Sequence, residues 1–394
     1  MTAPFERPEA ARLMPEKVAI GRLSLTDFRN YRELTLRFAG KHVVFTGNNG
    51  AGKTNLIEAI SLLSPGRGMR RIVYSEAARE GSAGGFTLFA EVEGMAGPAT
   101  IGTTAGDDAE GGQRRVRING AAARTNEALL DHLRITWLTP AMDGLFTGPA
   151  GDRRRFLDRM VLAVDPGHGR RVADYEKAMR GRNRLLSEGR LDRAWLEGIE
   201  AQVAELAVAI AVARQDFVRL LTVLLERAPS EAASRFPKAA IKLTGFMDDQ
   251  QGLAASDMEA RFAASLAESR WRDEAAGRML EGPHRQDLEV VHAEKSMPAA
   301  QSSTGEQKAL LVGLVLAHAR LVGDLTGAAP ILLLDEIAAH LDPTRRAALF
   351  SIIDDLGGQA FMTGTDAALF SALEGRAQFL SVNAGTVTET VFDG

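Results

Sequence analysis

Eight residues near the start of the chain, Gly47-Asn48-Asn49-Gly50-Ala51-Gly52-Lys53-Thr54, fit the pattern G-x-x-x-x-G-K-[ST] and leave little choice about the local fold. Glycines let successive backbone N–H groups turn inward around phosphate oxygens, and the N-terminus of a following helix adds a favourable dipole. The loop works only when a buried strand enters it and a helix leaves it. Both are present: the apolar run KHVVFTG (41–47) ends in Gly47, and Leu56, Ile57, Ile60 and Leu63 recur at helical spacing over 54–63. The pattern alone arises by chance in roughly one such chain per hundred, and its flanking strand and helix make chance rarer still. Lys53 should reach the β- and γ-phosphates of ATP, and Thr54 should offer its hydroxyl to Mg2+.

A phosphate loop of this kind needs an acidic partner at the end of another buried strand. Ile331-Leu332-Leu333-Leu334-Asp335-Glu336 supplies it. Asp335 is expected to hold Mg2+ through water, and Glu336 to orient or activate the water that attacks the γ-phosphate. Lys53, Asp335 and Glu336 are therefore the candidate catalytic residues, with Thr54 and Asp335 on the metal.

Two more segments narrow the class. Ser303-Thr304-Gly305-Glu306-Gln307, just before an apolar helix, has the S-x-G-x-Q form of the ABC signature, and Ser with Gly at a helix N-terminus makes an anion site. Ala339-His340-Leu341-Asp342 falls where ABC ATPases carry their D-loop. The four elements, in this order, resemble an ABC-type ATPase head. That resemblance implies that Ser303, Gly305, Gln307 and Asp342 complete the ATP site. It also implies that the signature of one subunit closes over the phosphate loop of the other, so that ATP holds a homodimer together and hydrolysis releases it.

Lys53 and Ser303 stand 250 residues apart, a much longer interval than in ABC transporter subunits. The 394 residues have an ordinary globular composition, 45% hydrophobic, with room for two or three structural units. Between 153 and 227 helix formers dominate. Leu196, Ile199, Val203, Leu206, Ile210, Ala213, Phe217, Leu220 and Leu224 keep an a/d heptad register over only about 43 Å, the core of a helical lobe and too short for a rod. A strand at 239–246 and a helical stretch at 257–280 follow. Alternating runs at 18–38, 86–94 and 114–124 read as antiparallel strands, the last with an Asn119-Gly120 turn, and 359–365 and 377–392 as a strand and a hairpin. The expected fold is α/β: an ABC-type P-loop ATPase head of mixed sheets and helices over 18–152 and 281–394, with an inserted, mainly helical lobe at 153–280. A loose leader is expected at 1–17, and no long coiled coil.

Within the ABC superfamily, LTDFRNYRELTL (25–36), GNNGAGKTNLIEAI (47–60), TPAMDGLFTGPAGDRRRFLD (139–158), GPHRQDL (282–288), STGEQKALLVGLVLAHA (303–319) and LLLDEIAAHLD (332–342) resemble the RecF family of recombination-mediator ATPases. The likeness runs through nearly the whole chain in the right order. It implies ATP-dependent dimerisation on single-stranded and double-stranded DNA at gaps and junctions, where recombination-mediator proteins are positioned. It further implies a weak DNA-stimulated ATPase and roles in gap repair, replication-fork maintenance and the SOS response. Two positions depart from the wider ABC pattern. Thr136-Trp137-Leu138-Thr139-Pro140 stands where many heads have a Q-loop glutamine, and Thr363-Gly364-Thr365 where they have a switch histidine. Both point to slow hydrolysis.

The net charge of −4 excludes DNA binding through bulk positive charge, but 153–193 carries twelve Lys/Arg against six Asp/Glu. Arg170, Arg171, Arg180, Arg182 and Arg184, on predicted helix, are candidate phosphate contacts; the alternative is a solvated face with internal ion pairs. Arg154 and Arg155 could instead sense nucleotide, and the basic cluster at 67–71 could meet phosphate of either ATP or DNA. His284 and Arg285 are either catalytic or part of a structural turn. The absence of cysteine rules out disulfides, thiolate nucleophiles and Cys-ligated zinc. No uninterrupted apolar stretch reaches the ~20 residues that cross a bilayer, and the N-terminus has no signal-peptide core. A soluble, cytoplasmic protein with no membrane partner is expected. The competing readings are a transporter ATPase subunit, disfavoured by the long interval, and a DNA-binding scaffold that holds ATP without cleaving it, disfavoured by Glu336.

Overall fold

The computed structural model describes residues 18–39, 42–82, 84–106, 114–188, 193–227, 232–248 and 252–390. The chain forms two compact units, 1–140 with 318–394, and 141–317. The leader at 1–17 lies outside the described residues. The second unit is wider than the lobe drawn from sequence, taking in 141–152 and 281–317 as well.

The first unit opens with β1 (Ala19–Phe28), β2 (Tyr31–Arg37), β3 (His42–Thr46), α1 (Lys53–Ser61) and the single turn α2 (Tyr74–Ala77). It continues through β4 (Phe86–Gly94), β5 (Gly97–Ala105), β6 (Arg114–Ile118), β7 (Ala121–Ala122) and β8 (Ile135–Leu138). The second unit holds α3 (Ala150–Leu162), α4 (His168–Ser187), α5 (Arg193–Glu226), β9 (Ala239–Thr244), α6 (Ala255–Glu268) and α7 (Arg270–Ala276). Next come β10 (Asp287–His292), β11 (Met297–Pro298) and the long α8 (Thr304–Thr326), whose residues from His318 on belong to the first unit. The chain ends, in the first unit, with β12 (Ile331–Leu334), α9 (Pro343–Leu356), β13 (Ala360–Gly364), β14 (Ala377–Asn383) and β15 (Thr386–Glu389).

One sheet of the first unit is antiparallel throughout, in the order β2-β1-β4-β5-β6-β7. Its strands alternate as half-buried strands must: Phe86, Leu88, Ala90 and Val92 of β4 are buried and their neighbours less so. Asn119 and Gly120 both take positive φ, 51° and 79°, the tight turn that Asn-Gly favours. The other sheet runs β15-β14-β3-β13-β12-β8, parallel except for the edge strand β15. Every residue of β3, β12 and β13 is buried, so these strands are covered on both faces and show no alternation. Parallel neighbours end on the same edge, and ligands of open α/β sheets collect beyond those carboxyl ends. There the strands β3, β13 and β12 deliver Gly47, Thr363 and Asp335 side by side. The Gln359 amide ties the two sheets together, accepting from Ile20 N at 2.8 Å and donating to Ile20 O at 3.3 Å.

In the second unit α5 packs against α4 and α6 around Val203, Ala204, Ala207, Ile210, Ala211 and Phe262. Its buried face is a broad 3.6-residue stripe and not the a/d seam: Ile199 and Leu206 are only partly buried, and Leu220 is 40% exposed. A three-stranded antiparallel sheet, β11-β10-β9, completes the unit. Helix α8 is long and apolar enough to cross a membrane by composition, yet Leu310, Leu311, Val312, Leu314, Val315 and Val322 are buried inside the protein. It is a core helix.

Candidate functional site

The phosphate loop leaves β3 through Gly47 and enters α1 at Lys53. Two of its glycines are obligatory. Gly47 has φ 141°, and a Cβ there would lie 2.2 Å from the Val382 carbonyl oxygen. Gly52, the N-cap of α1, has φ 112°, and a Cβ would meet Asn30 Nδ2 and the Tyr31 hydroxyl at 2.6 Å. The turn between β1 and β2 thus packs against the loop. Tyr31 donates to the Gly52 carbonyl at 3.1 Å, and burial pushes its phenol up to about 12 despite the hydrogen bond with Asn30. Asn55 donates to Asn30 Oδ1 at 2.8 Å. Arg29, in the left-handed region at φ 53°, grips the fully buried Glu58 of α1 through two bonds of 2.8 and 3.1 Å. Arg70 leans on the same carboxylate at 3.6 Å. The FRNY turn and one arginine of the 67–71 cluster therefore brace the helix that carries Lys53 and Thr54.

Lys53 is 3% exposed, and its ammonium donates to the carbonyls of Gly47 and Asn48 at 2.7 and 2.9 Å. Burial lowers its pKa, while Glu336 and Asp335 pull it back up. Thr54 Oγ1 donates to Asp335 Oδ1 at 3.0 Å, joining residues 281 positions apart. Thr363 donates to the same oxygen at 2.7 Å and accepts from the Glu336 amide at 2.9 Å. Burial raises the pKa of Asp335, and the Thr363 and Thr54 hydroxyls oppose that shift. A threonine that gives its one proton to a carboxylate keeps its lone pairs free. Thr54 and Asp335 are thus a pair of hard oxygen donors suited to Mg2+. Among the described residues no group of three or more His, Asp or Glu converges as a metal cage, so a cation here would draw further oxygens from a phosphate ligand or water.

The chain as a whole is similar to known proteins. The model of the RecF/RecN/SMC N terminal domain matches residues 19–388. The DNA replication and repair protein RecF of Rhizobium etli (strain CIAT 652) is 62% identical over 374 residues, 95% of this chain and all of that protein. Its counterpart in Rhizobium meliloti (strain 1021) is 60% identical over 375 residues, with the same coverage. The chain belongs to the RecF family. Two solved structures of the recombination mediator protein RecF in the RecFOR pathway, one with ATP and one with ATPrS, superpose with TM-score 0.84 at 22% identity. They cover 98% and 96% of this chain and all of their own. An Smc head domain from Pyrococcus furiosus, at TM-score 0.54 and 16% identity, covers 95% of this chain and 96% of its own. The fold is the RecF form of the ABC/SMC-type head.

The other segments of this RecF-family chain have clear local roles. Ser303 caps α8 reciprocally with Glu306: each side chain bonds the other's backbone N–H, at 3.4 and 3.1 Å. Gln307 turns its amide back to the carbonyls of Ser302 and Ala300, at 2.8 and 3.2 Å, and so braces the signature turn from within. Gly305 has open space around its missing Cβ. Asp342 is exposed and caps α9 by accepting from the Arg345 amide at 2.9 Å, which lowers its pKa.

The segments GDRRRFLD and GPHRQDL interlock. Arg153 forks onto Asp287 at 2.8 and 2.7 Å, and Arg154 donates to the Gln286 carbonyl at 2.8 Å. Burial alone would raise the pKa of Asp158, but His168 and Arg214 hold it below the usual carboxylate range. Arg214 continues to the Pro283 carbonyl at 2.7 Å and to Gln286 Oε1 at 3.0 Å. His284 sits between the Tyr175 hydroxyl at 2.7 Å and the Met279 carbonyl at 3.1 Å, and burial lowers its pKa. Its two ring nitrogens are both engaged, which makes it part of a structural turn.

One DNA candidate is corrected. Arg182 is fully buried, bonded to Glu200 at 3.0 Å, Asp273 at 2.7 Å and the Leu266 carbonyl at 2.8 Å, and it cannot reach a phosphate. Helical spacing carried the warning, because Tyr175, Ala178, Arg182 and Leu186 share the buried face of α4. Arg170 and Arg180 are exposed and form loose i,i+4 pairs with Asp174 and Glu176 at 3.6 and 3.5 Å. Arg171 pairs with Asp165, and Arg184 is exposed in the last turn of α4. The residue that sequence reasoning missed is Thr363. Its only sequence signal is the lack of a histidine at that place, and its partners come from a different strand.

Proposed function

We propose that this chain is an ATP-dependent DNA-binding protein of recombinational gap repair, a slow ATPase that dimerises on ATP to clamp DNA at single-strand gaps and junctions. Recombination-mediator proteins would be positioned there, with consequences for replication-fork maintenance and the SOS response. The observation that carries this reading is the convergence of Thr54, Asp335 and Thr363 beside a phosphate loop, in a chain 62% identical over its length to a DNA replication and repair protein. Gly47, Asn48, Asn49, Gly50, Ala51 and Gly52 cradle the phosphates, and Lys53 neutralises them. Thr54 and Asp335 hold Mg2+, which when bound neutralises charge on the transferring phosphoryl group. Glu336 takes a proton from the attacking water as the bond from the γ-phosphorus to the bridging oxygen breaks and ADP leaves.

Ser303 and Gly305, on the exposed start of α8, serve as the anion site for the γ-phosphate of a second copy. The head is the unit that turns over ATP, and the helical lobe, through Arg170, Arg171, Arg180 and Arg184, contributes salt-sensitive phosphate contacts. Light scattering on a gapped duplex, with ADP against a non-hydrolysable ATP analogue, tests the clamp. A two-subunit complex formed only with the analogue and lost in Ser303→Arg is expected. A monomer in every condition would remove the clamp mechanism. Turnover of many ATP per second with DNA would remove the slow-ATPase part.

A further inference from the structure

Glu336 has φ +52°, a conformation that side chains beyond glycine and asparagine seldom adopt. The strand before it is regular: Asp335 N still donates to the Leu138 carbonyl at 2.9 Å, as a strand neighbour should. The turn comes one residue later, where the Glu336 amide leaves the sheet and donates to Thr363 Oγ1 at 2.9 Å. Thr363 lies in β13 opposite Phe45 of β3, the strand that feeds the phosphate loop, and is wholly buried. Its hydroxyl has one proton, given to Asp335 Oδ1 at 2.7 Å, and a lone pair taken up by the Glu336 amide. A single buried hydroxyl thus ties the Asp335 carboxylate and the Glu336 backbone, at the end of β12, to β13, the neighbour of the strand that carries the loop.

We infer that Thr363 is a positioning residue for ATP hydrolysis: its hydroxyl, anchored on an Asp335 carboxylate that Thr54 also holds, locks the left-handed backbone of Glu336 in register with the phosphate loop. This rests on Glu336 as the group that activates water. A strained backbone persists only where its surroundings over-determine it. Without the hydroxyl the Glu336 backbone is free to relax, and a displacement of about 1 Å at a reacting group can cost about a hundredfold in rate. Thr363 does not touch ATP in this scheme, so nucleotide affinity should be nearly indifferent to it.

The test compares Thr363→Val, which keeps the shape and loses the hydroxyl, with Thr363→Ser, which keeps the hydroxyl. Thr363→Val is expected to lower kcat between about tenfold and a hundredfold while KM for ATP stays within about threefold, and Thr363→Ser to restore turnover. Amide exchange at Glu336, measured without nucleotide, should speed up in the valine variant only. In a Glu336→Gln background the valine substitution should cost nothing further, because its effect runs through Glu336. Unchanged kcat and an equally protected Glu336 amide in Thr363→Val would overturn the inference, as would an equal loss in the Glu336→Gln background. If Glu336→Gln leaves turnover intact, the reading of Glu336 itself fails, and amide exchange still decides whether Thr363 holds that backbone.

Discussion

Arg153 of α3 and Asp287 at the head of β10 share a two-pronged ion pair, 2.8 and 2.7 Å, across 134 positions of sequence. Neither partner is far from solvent, with 16% and 28% of the side chain exposed, but both are shielded enough for the pair to matter. The bond raises the pKa of Arg153. Two segments that looked like separate landmarks are one structural joint.

Arg153→Ala should destabilise the second unit by about 2 kcal/mol, because it leaves Asp287 without its charge-assisted bonds. Urea unfolding of the full chain, followed by hydrogen exchange on β10, measures it. A loss below about 0.5 kcal/mol would mean that the pair behaves as an ordinary surface bridge.

Arg182 separates stability from DNA binding. Arg182→Ala takes the Arg182 ion pair from the buried Asp273, while Glu200 keeps Arg270, and should cost about 3 kcal/mol. Arg180→Glu with Arg184→Glu should leave the melting temperature nearly unchanged and weaken DNA binding with a shallower salt dependence. Equal DNA affinity for that double variant and the wild type would remove α4 from the DNA face.

The start of α8 carries a pH signature. The Lys295 bond, then the Ser303 hydroxyl and backbone, push the Glu306 carboxyl down to about 2 from 4.5. A lowered carboxylate pKa adds stability above about pH 4.5, and that stability is lost as the pH falls toward 2. Thermal melts of wild type and Glu306→Gln should therefore differ at neutral pH and converge as the solution approaches pH 2. A gap that stays constant over that range would show that the charge of Glu306 does not act through this cap.

Gly47 and Gly50 make an internal comparison. A methyl group at Gly47 would collide with the Val382 carbonyl, whereas Gly50, at φ 80°, has nothing within 4 Å. Gly47→Ala should cost about 2–3 kcal/mol and abolish ATP binding. Gly50→Ala should cost about 1–2 kcal/mol, the price of the left-handed backbone alone. Thermal melts with and without ATP distinguish the two, and equal losses would mean that Val382 gives way.

Much of the site is legible because it is local. The loop 47–54 needs only a strand, glycines and a helix start, all consecutive in the chain, and Asp335-Glu336 needs only the apolar run before it. The same locality misled the reading of α4. Arginines at 180, 182 and 184 form one cluster in sequence, but residues two apart on a helix point about 200° apart, so Arg182 faces inward while its neighbours face solvent. The heptad count on α5 failed in a similar way, since an isolated helix in a bundle buries a 3.6-residue stripe, and a 3.5-residue seam drifts off it toward Leu220.

By itself the sequence determined the nucleotide loop, the acidic strand end, the order of the ABC-type elements and the RecF-family likeness, each carried by neighbours in the chain. Tertiary structure alone decided what each charge or hydroxyl touches. It placed Thr363 on Asp335 and Glu336, Arg153 on Asp287, and Arg182 in a buried carboxylate pocket. The reason is physical: a buried polar group must find its partner in three dimensions, and parallel strands bring together residues hundreds of positions apart that no local pattern relates.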